Sequence, residues 1–358
     1  MTATASLKAQ LEAVGPQDVY LDLNPDRSFF HNETIQHTPF AMYETVNTVQ
    51  GASAAAPGTA LTAQVSAEGD VLSGLTLYFL GDPGSGSAEA PFDRVQVSLN
   101  GQNVHDVDEV AYRLNDRILP RPARASQLVS GRPRTASGTQ VYVPLRWKVL
   151  LPVIALNMDL SVKITLSSSW SSFDDVKLLC NYVLVAAPER NAFQNNDIDI
   201  VYDQFECLHA SNSVVGIDMD VLYKSRVDVD LSSLQSPTKA ILFAVEEAGN
   251  PKFVDVVDTA SVVIGGVSVT DVTLGSKFSL LNVYQCADAG LGDEVVYCHY
   301  NALNPASPSP SGACNLGVYQ KKVLSIVFNR EGAFTVRVCA ISINFLKIKS
   351  RQARVMFG

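Results

Sequence analysis

Paired carboxylates could hydrolyse a glycosidic bond, one serving as acid and the other as base or nucleophile. The adjacent acids Asp174-Asp175 and Glu246-Glu247 are candidates for that role. Only their separation in space decides it, and adjacent acids at strand ends are mostly solvated turns. A metal centre needs clustered His, Cys or carboxylate ligands, yet the five histidines (His31, His37, His105, His209 and His299) are widely spread. Cys298-His299 with Cys314 comes nearest to a zinc set, but no paired spacing supports it, and packing explains it better. A cupin-like metal barrel would want a His-x-His pair, and the sequence has none. It also lacks a GxxxxGK[ST] phosphate loop and a GxSxG nucleophile elbow. The expectation is no catalytic residue, no metal and no cofactor.

The charge that stands out is basic and local. Arg113, Arg117, Arg121, Arg124, Arg132 and Arg134 face a single acid, Asp116, within residues 113–134. That segment reads as a solvated loop, as an inter-subunit contact made by bidentate Arg–carboxylate pairs with acids such as Asp82, Asp93 or Glu109, or as a nucleic-acid contact. No aromatic is interleaved for base stacking. The C-terminal Lys347, Lys349, Arg351 and Arg354 are read either as a solvated tail or as contacts at the inner face of an assembly, with an anionic membrane or with inner proteins. The whole chain has a net charge of −9, so no global field draws it to nucleic acid.

Composition bounds the class. Hydrophobic residues make up 47% of 358 and charged residues 18%, which fits either a large β-core or a protein that buries surface against copies of itself. The six cysteines show no CxxC pair, and the first residues lack the basic and apolar regions of a signal peptide, so reduced thiols in a soluble cytosolic product are expected. Asn32-Glu-Thr34 is a glycosylation sequon that such a product would leave unused.

The elements are β-strands. Helical spacing is confined to Ser6–Ala13; thereafter β-branched and aromatic runs alternate with Gly, Pro, Ser, Asn and Asp clusters. Strands are predicted near 27–32, 38–50, 59–66, 72–80, 93–99, 140–148, 159–167 and 176–186. A second series lies near 197–207, 214–222, 226–231, 239–246, 260–265, 279–285, 294–300, 323–328 and 334–347. Residues 74–106 reappear weakly at 239–271, an offset of 165 that aligns Gly74–Leu80 with Lys239–Val245 and Val97–Asp106 with Val262–Asp271. Val176–Leu184 aligns with Thr335–Ile343 at an offset of 159. An all-β fold of two tandem eight-stranded jelly-roll β-sandwiches follows. The expected boundaries are an N-terminal arm at 1–25, a first jelly roll at 26–190 and a second at 191–358.

In this order the segments resemble the major capsid proteins of the nucleocytoplasmic large DNA viruses. The resemblance rests on Gly15-Pro-Gln-Asp-Val-Tyr-Leu21, His37-Thr-Pro-Phe-Ala-Met42, Gly69-Asp-Val-Leu72 and the Asn100-Gly101-Gln102 turn. It continues through Tyr142-Val-Pro-Leu145, Leu151-Pro-Val-Ile-Ala-Leu156, Glu189-Arg190, Pro310–Asn315 and Asn344–Ser350, over about residues 15–358. Asn32–Gln36 and Arg146-Trp147-Lys148 depart from the family's pattern.

The resemblance implies a double jelly roll that assembles as a homotrimeric, pseudo-hexagonal capsomer of an icosahedral shell. It also implies neighbouring capsomers, minor capsid proteins and an inner viral membrane as partners, no specific nucleic acid, and assembly of virions in the host cytoplasm. The arm, taken as residues 1–20, would bind neighbours beneath the capsomer. Two competing readings are a minor capsid paralogue and a carbohydrate-binding surface protein, the latter using Trp147 or Trp170.

Overall fold

A period of two builds the strands. In β3 (Val71–Asp82), Leu75, Leu77 and Phe79 are buried while Thr76, Tyr78 and Leu80 between them stay half-exposed. Successive side chains therefore leave on opposite faces, one of them to the core. The computed structural model describes residues 37–52, 55–83, 90–118, 132–134, 138–145, 149–157, 159–208, 226–247, 250–287, 294–305, 307, 309–330 and 332–356. Of 116–118, 132–134, 138, 250–251 and 286–287 it describes only the backbone. The predicted elements at 6–13, 27–32 and 214–222 lie outside the described residues.

The first half supplies β1 (Phe40–Thr48), β2 (Ala60–Val65), β3, β4 (Phe92–Leu99), β5 (Gln102–Asp108), β6 (Arg132–Arg134), β7 (Gly138–Leu145), β8 (Leu160–Leu166) and β9 (Ser172–Val185). They form two antiparallel sheets, β1-β9-β3-β7-β6 and β2-β8-β4-β5. The second half supplies β10 (Ile198–Leu208), β11 (Arg226–Asp230), β12 (Pro237–Glu247), β13 (Asn250–Phe253), β14 (Val257–Ile264) and β15 (Val267–Ser268). It continues with β16 (Thr273–Leu274), β17 (Tyr297–Tyr300), β18 (Cys314–Asn315), β19 (Lys322–Phe328), β20 (Phe334–Lys349) and β21 (Gln352–Val355).

Here β10-β20-β12 carries β13, β17, β18 and β21, and packs on β11-β19-β14 with β15 and β16. With the short β13 and β21 set aside, in both halves the first, last and third strands lie side by side in one sheet, and the second, penultimate and fourth in the other. That is jelly-roll order, used twice. Residues 40–358 form one compact unit; of Met1–Pro39, the described His37–Pro39 are exposed.

The two jelly rolls share a turn. Asn100 and Gly101 have φ of 50° and 77°, and Gly265 and Gly266 have 63° and 83°, each pair closing the hairpin after the fourth strand. Both central residues of such a two-residue turn need positive φ, which Asn and Gly tolerate.

The offset of 165 holds for β4 and β14, where Val95, Val97 and Leu99 match the buried Ala260, Val262 and Ile264. For β3 and β12 it is one residue out. Ile241, Phe243 and Val245 fill the second core, so they correspond to Leu75, Leu77 and Phe79 at offset 166. By the same logic Cys180 corresponds to Ala340 rather than Cys339, at offset 160. A slip of one residue exchanges the faces of a strand; sequence similarity alone did not detect it because both faces of β12 are apolar.

Helices also occur where none was expected. Asp108 accepts a hydrogen bond from Ala111 N at 2.7 Å and so caps α1 (Glu109–Ile118). Helix α2 (Ala187–Asn195) follows β9. The strand predicted at 279–285 is instead a π-helical stretch, Lys277–Leu281, running into α3 (Asn282–Ala287). Its buried Phe278, Asn282 and Val283 follow helical spacing, which a short run cannot distinguish from a strand.

The corrected correspondence has a direct consequence. Leu77→Ala should cost about 2–5 kcal/mol, whereas Thr76→Ala, one residue away on the outer face, should cost under about 1 kcal/mol. Urea unfolding followed by tryptophan fluorescence checks the contrast.

Candidate assembly interface

At β12 the middle sheet of the molecule has no solvent face. In β12, Ile241, Phe243 and Val245 point into the second jelly roll, while Ala240, Leu242 and Ala244 pack into the cluster that includes the first. Leu242 pairs with Cys298 on β17 and Cys339 on β20, and all three are fully buried. The covering elements are β5 and α1, which pack on β10, β12 and β20. At the centre of this joint the His105 and Phe205 rings meet edge to face, 6.0 Å apart. Burial pushes the His105 imidazole down to about 4, so it is neutral at physiological pH.

Arg113 was expected to reach another subunit, but its guanidinium is spent inside its own chain. It lies 3.0 Å from Glu294 and 3.8 Å from Glu246 of the second jelly roll, and 3.4 Å from Glu109 one helical turn away. The guanidinium also covers the Phe253 ring at 4.2 Å from its centroid. Glu246 has a further partner in Arg337 at 2.9 Å. With several acids around one buried guanidinium, the Glu109 carboxyl is pushed up to about 7, chiefly by burial and against the pull of Arg113.

The other sequence-predicted residues fall elsewhere. Arg121 and Arg124 lie outside the described residues. Arg117 is near the end of α1, and Arg132 and Arg134 are on β6, the edge strand beside β7; only their backbones are described. Lys347 and Lys349 are exposed on β20, 3.8 Å from Asp199 and 3.2 Å from Asp197. Arg354 sits opposite Lys347 on β21, and Arg351 is in the connecting turn at φ 63°. The basic C-terminus is thus a hairpin face flanked by acids.

Three of the segments behind the resemblance meet at one buried carboxylate. Asp70 accepts hydrogen bonds from Arg190 Nη2 at 2.8 Å and Val185 N at 3.0 Å. Its carbonyl accepts from Ile154 N, and Leu72 exchanges both backbone hydrogen bonds with Leu151. Gly69 is required beside it, since a Cβ there would lie 2.7 Å from Tyr182. The Asn100-Gly101-Gln102 turn bridges the halves, Gln102 Oε1 accepting from Val355 N at 2.9 Å.

The enzymatic candidates are held in ion pairs. Asp175 pairs with Lys177, Glu247 with Arg330 and Glu246 with Arg337, and Asp174 and Asp175 lie together at a β-bulge between the buried Phe173 and Val176. Cys298 and His299 point to opposite sides of β17. Trp170 is buried and stacked on Phe173 at 5.2 Å, so it offers no sugar platform; Trp147 and the Asn32 sequon lie outside the described residues.

Sequence reasoning missed two exposed apolar surfaces. One is the outer face of β1-β9-β3-β7, with Met42, Val46 and Tyr142 exposed and Tyr78, Leu179 and Val183 half-exposed, interrupted by Glu44, Asn181 and the Lys177–Asp175 ion pair. The other runs along 267–284, with Val267, Val272, Leu274, Leu280, Leu281 and Tyr284 exposed. The internal repeat was the available signal, because 267–284 is the second copy of the β5–α1 segment.

The topology, with two jelly rolls joined through a shared apolar sheet, defines the class as a double jelly roll. No family model matches the chain. Among curated proteins it is 23% identical to the major capsid protein of Pyramimonas orientalis virus, covering 95% of this chain and 96% of that one. It is also 23% identical to the major capsid protein of Paramecium bursaria Chlorella virus 1, over 89% and 86%.

Among solved structures, VP54 of PBCV-1 superposes with a TM-score of 0.78 at 18% identity, covering 92% of this chain and 100% of that one. The Faustovirus major capsid protein superposes at 0.71 with 9% identity, over 98% and 99%. The chain is thus related to the major capsid proteins of large DNA viruses, with a structural rather than an enzymatic role.

Two substitutions test the joint. Arg113→Met leaves acids buried without their cation and should destabilise by about 3–5 kcal/mol at pH 8. Glu109 holds its proton up to about pH 7 when folded, against an ordinary value of 4.5, so its contribution favours folding at pH 4.5 and fades as pH rises to 7. Glu109→Gln should therefore change stability little at pH 4.5 and raise it by on the order of 2–3 kcal/mol at pH 8. Thermal melts across pH 4.5–8 check both.

Proposed function

We propose that this chain is the repeating subunit of an icosahedral virus shell, assembled as a homotrimer. Three copies of two barrels give six barrels about a threefold axis, a pseudo-hexagonal block that tiles a flat facet. The observation that carries this reading is the presence of two jelly rolls of equal topology in one chain, joined through a sheet whose strand β12 is buried on both faces. Closed cyclic symmetry also buries sheet surface that would otherwise aggregate.

In this assembly residues 1–25 are an arm, 26–190 the first barrel and 191–358 the second. Arg117, Arg121, Arg124, Arg132 and Arg134 contact neighbouring subunits. The exposed face bearing Lys347, Lys349, Arg351 and Arg354 turns to the inside of the shell, toward minor capsid proteins or an anionic inner membrane. Neighbouring capsomers complete the partner set, and assembly takes place in the host cytoplasm. Size-exclusion chromatography with light scattering should give a mass of three chains; a monomer at every concentration contradicts the proposal.

A further inference from the structure

Four residues form a row across the covered face of the β10-β20-β12 sheet. Cys207 on β10 is opposite Cys339 on β20, Cys339 is opposite Leu242 on β12, and Leu242 is opposite Cys298 on β17. Residues opposite each other on antiparallel strands share a face, here the one that receives β5 and α1. Cys207 and Cys339 are adjacent in this row, and their Sγ atoms are 2.7 Å apart. Opposite residues on such strands have Cα atoms about 4.5–5.5 Å apart, inside the range of about 4.4–6.8 Å that a disulfide spans. The two sulfurs can therefore join without backbone movement.

Among the described side chains, no other two thiols are placed so. Cys298 lies two strands from Cys339 with Leu242 between them, roughly 10 Å away at the usual strand spacing. Cys314 is opposite Thr238, and Cys180 belongs to β9 of the first jelly roll. The two members of the pair differ in access. Cys339 is fully buried, whereas Cys207, one residue from the end of β10, is half-buried and is the thiol that a small reagent reaches. Strand β10 is also a vulnerable element. It lies at the edge of its sheet, follows α2 directly, and carries Phe205, whose ring meets His105 of the first jelly roll. Peeling β10 from β20 would open the joint.

We propose that Cys207 and Cys339 form a reversible disulfide that staples the edge strand β10 to β20 and holds the joint between the jelly rolls closed. The bond links residues 132 apart in sequence, and closing a long loop removes much conformational freedom from the unfolded chain. The oxidant is a small-molecule disulfide. The Cys207 thiolate attacks it, one half leaves as a thiol, and a mixed disulfide remains on Cys207. The Cys339 thiolate then attacks the Cys207 sulfur and expels the other half. Two protein thiols are oxidised, one external disulfide is reduced, and the two thiol protons pass to the released sulfurs. The hydrogen bond with Cys339 and burial push the Cys207 thiol up, so little thiolate is present at neutral pH and closure is slow. Cytosolic thiols are kept reduced, whereas disulfides persist at virion surfaces. The pair therefore stays open during assembly in the cytoplasm and closes in the particle outside the cell. That timing rests on the shell reading above; the bond itself does not.

Thiol mapping of the full-length protein tests the pair. Protein made in a reducing cytosol and blocked at lysis should carry six free thiols, one for each cysteine. After incubation with oxidised glutathione at mildly alkaline pH, the unfolded chain should show four, six less the two joined. Peptide mapping without reductant should find Cys207 and Cys339 in one cross-linked peptide, two hydrogens lighter than its separate parts. Reductant should restore all six thiols. The oxidised form should unfold at a higher urea concentration than the reduced form, and Cys207→Ala under the same treatment should show no such shift.

Six thiols after oxidation, a glutathione adduct that stays on Cys207, or a link between other cysteines would overturn the bond. A Cys207–Cys339 bond that leaves the urea midpoint unchanged would overturn its role as a staple. A bond already present in the protein blocked at lysis would overturn the timing. Should Cys207→Ala fail to fold, the reduced and oxidised wild-type forms decide the matter between them. A monomer by light scattering overturns the shell reading and the timing that rests on it, and the thiol count then decides the bond by itself.

Discussion

A strand with both faces buried is the constraint from which the rest of the structure follows. β12 must be apolar on every side chain from Ala240 to Val245, because one face fills the second jelly roll and the other receives the first. Both faces of a sheet are ordinarily buried only where a layer lies on each side, and here the second layer is another domain. The halves consequently behave as one compact unit rather than as beads on a linker. A shell protein that must transmit load between barrels needs such a joint to be stiff, and close apolar packing supplies the stiffness.

Polar groups at the joint set its register. Apolar burial has no direction, whereas Arg113 reaches three carboxylates on two domains and covers Phe253, a geometry met in only one docking arrangement. The same holds at Asp70, where backbone and guanidinium donors from separate segments converge. Motifs that identify the family thus work inside the subunit, holding its strands in place.

Much of this was legible in the sequence. The Gly/Pro/Asn punctuation marked the strands, and the Asn100-Gly101 and Gly265-Gly266 pairs sit in matching hairpins because positive φ leaves few residue choices. What could not be read was facing. In β3, polar and apolar residues alternate clearly enough to orient the strand, but β12 is apolar throughout, so the repeat aligned one residue out. The helix at 277–287 looked like a strand because its exposed side, with Leu280, Leu281 and Tyr284, is also apolar. Arg113 looked like a surface charge because its carboxylate partners Glu246 and Glu294 lie more than one hundred residues away in sequence.

The central claim is that two jelly rolls of like topology, locked together through one shared apolar strand, make one block that assembles in threes. Single-particle electron microscopy of the purified full-length protein tests it most directly. The account predicts six barrels around a threefold axis, paired within each chain through β12. A monomer, or a particle with only twofold symmetry, would contradict it.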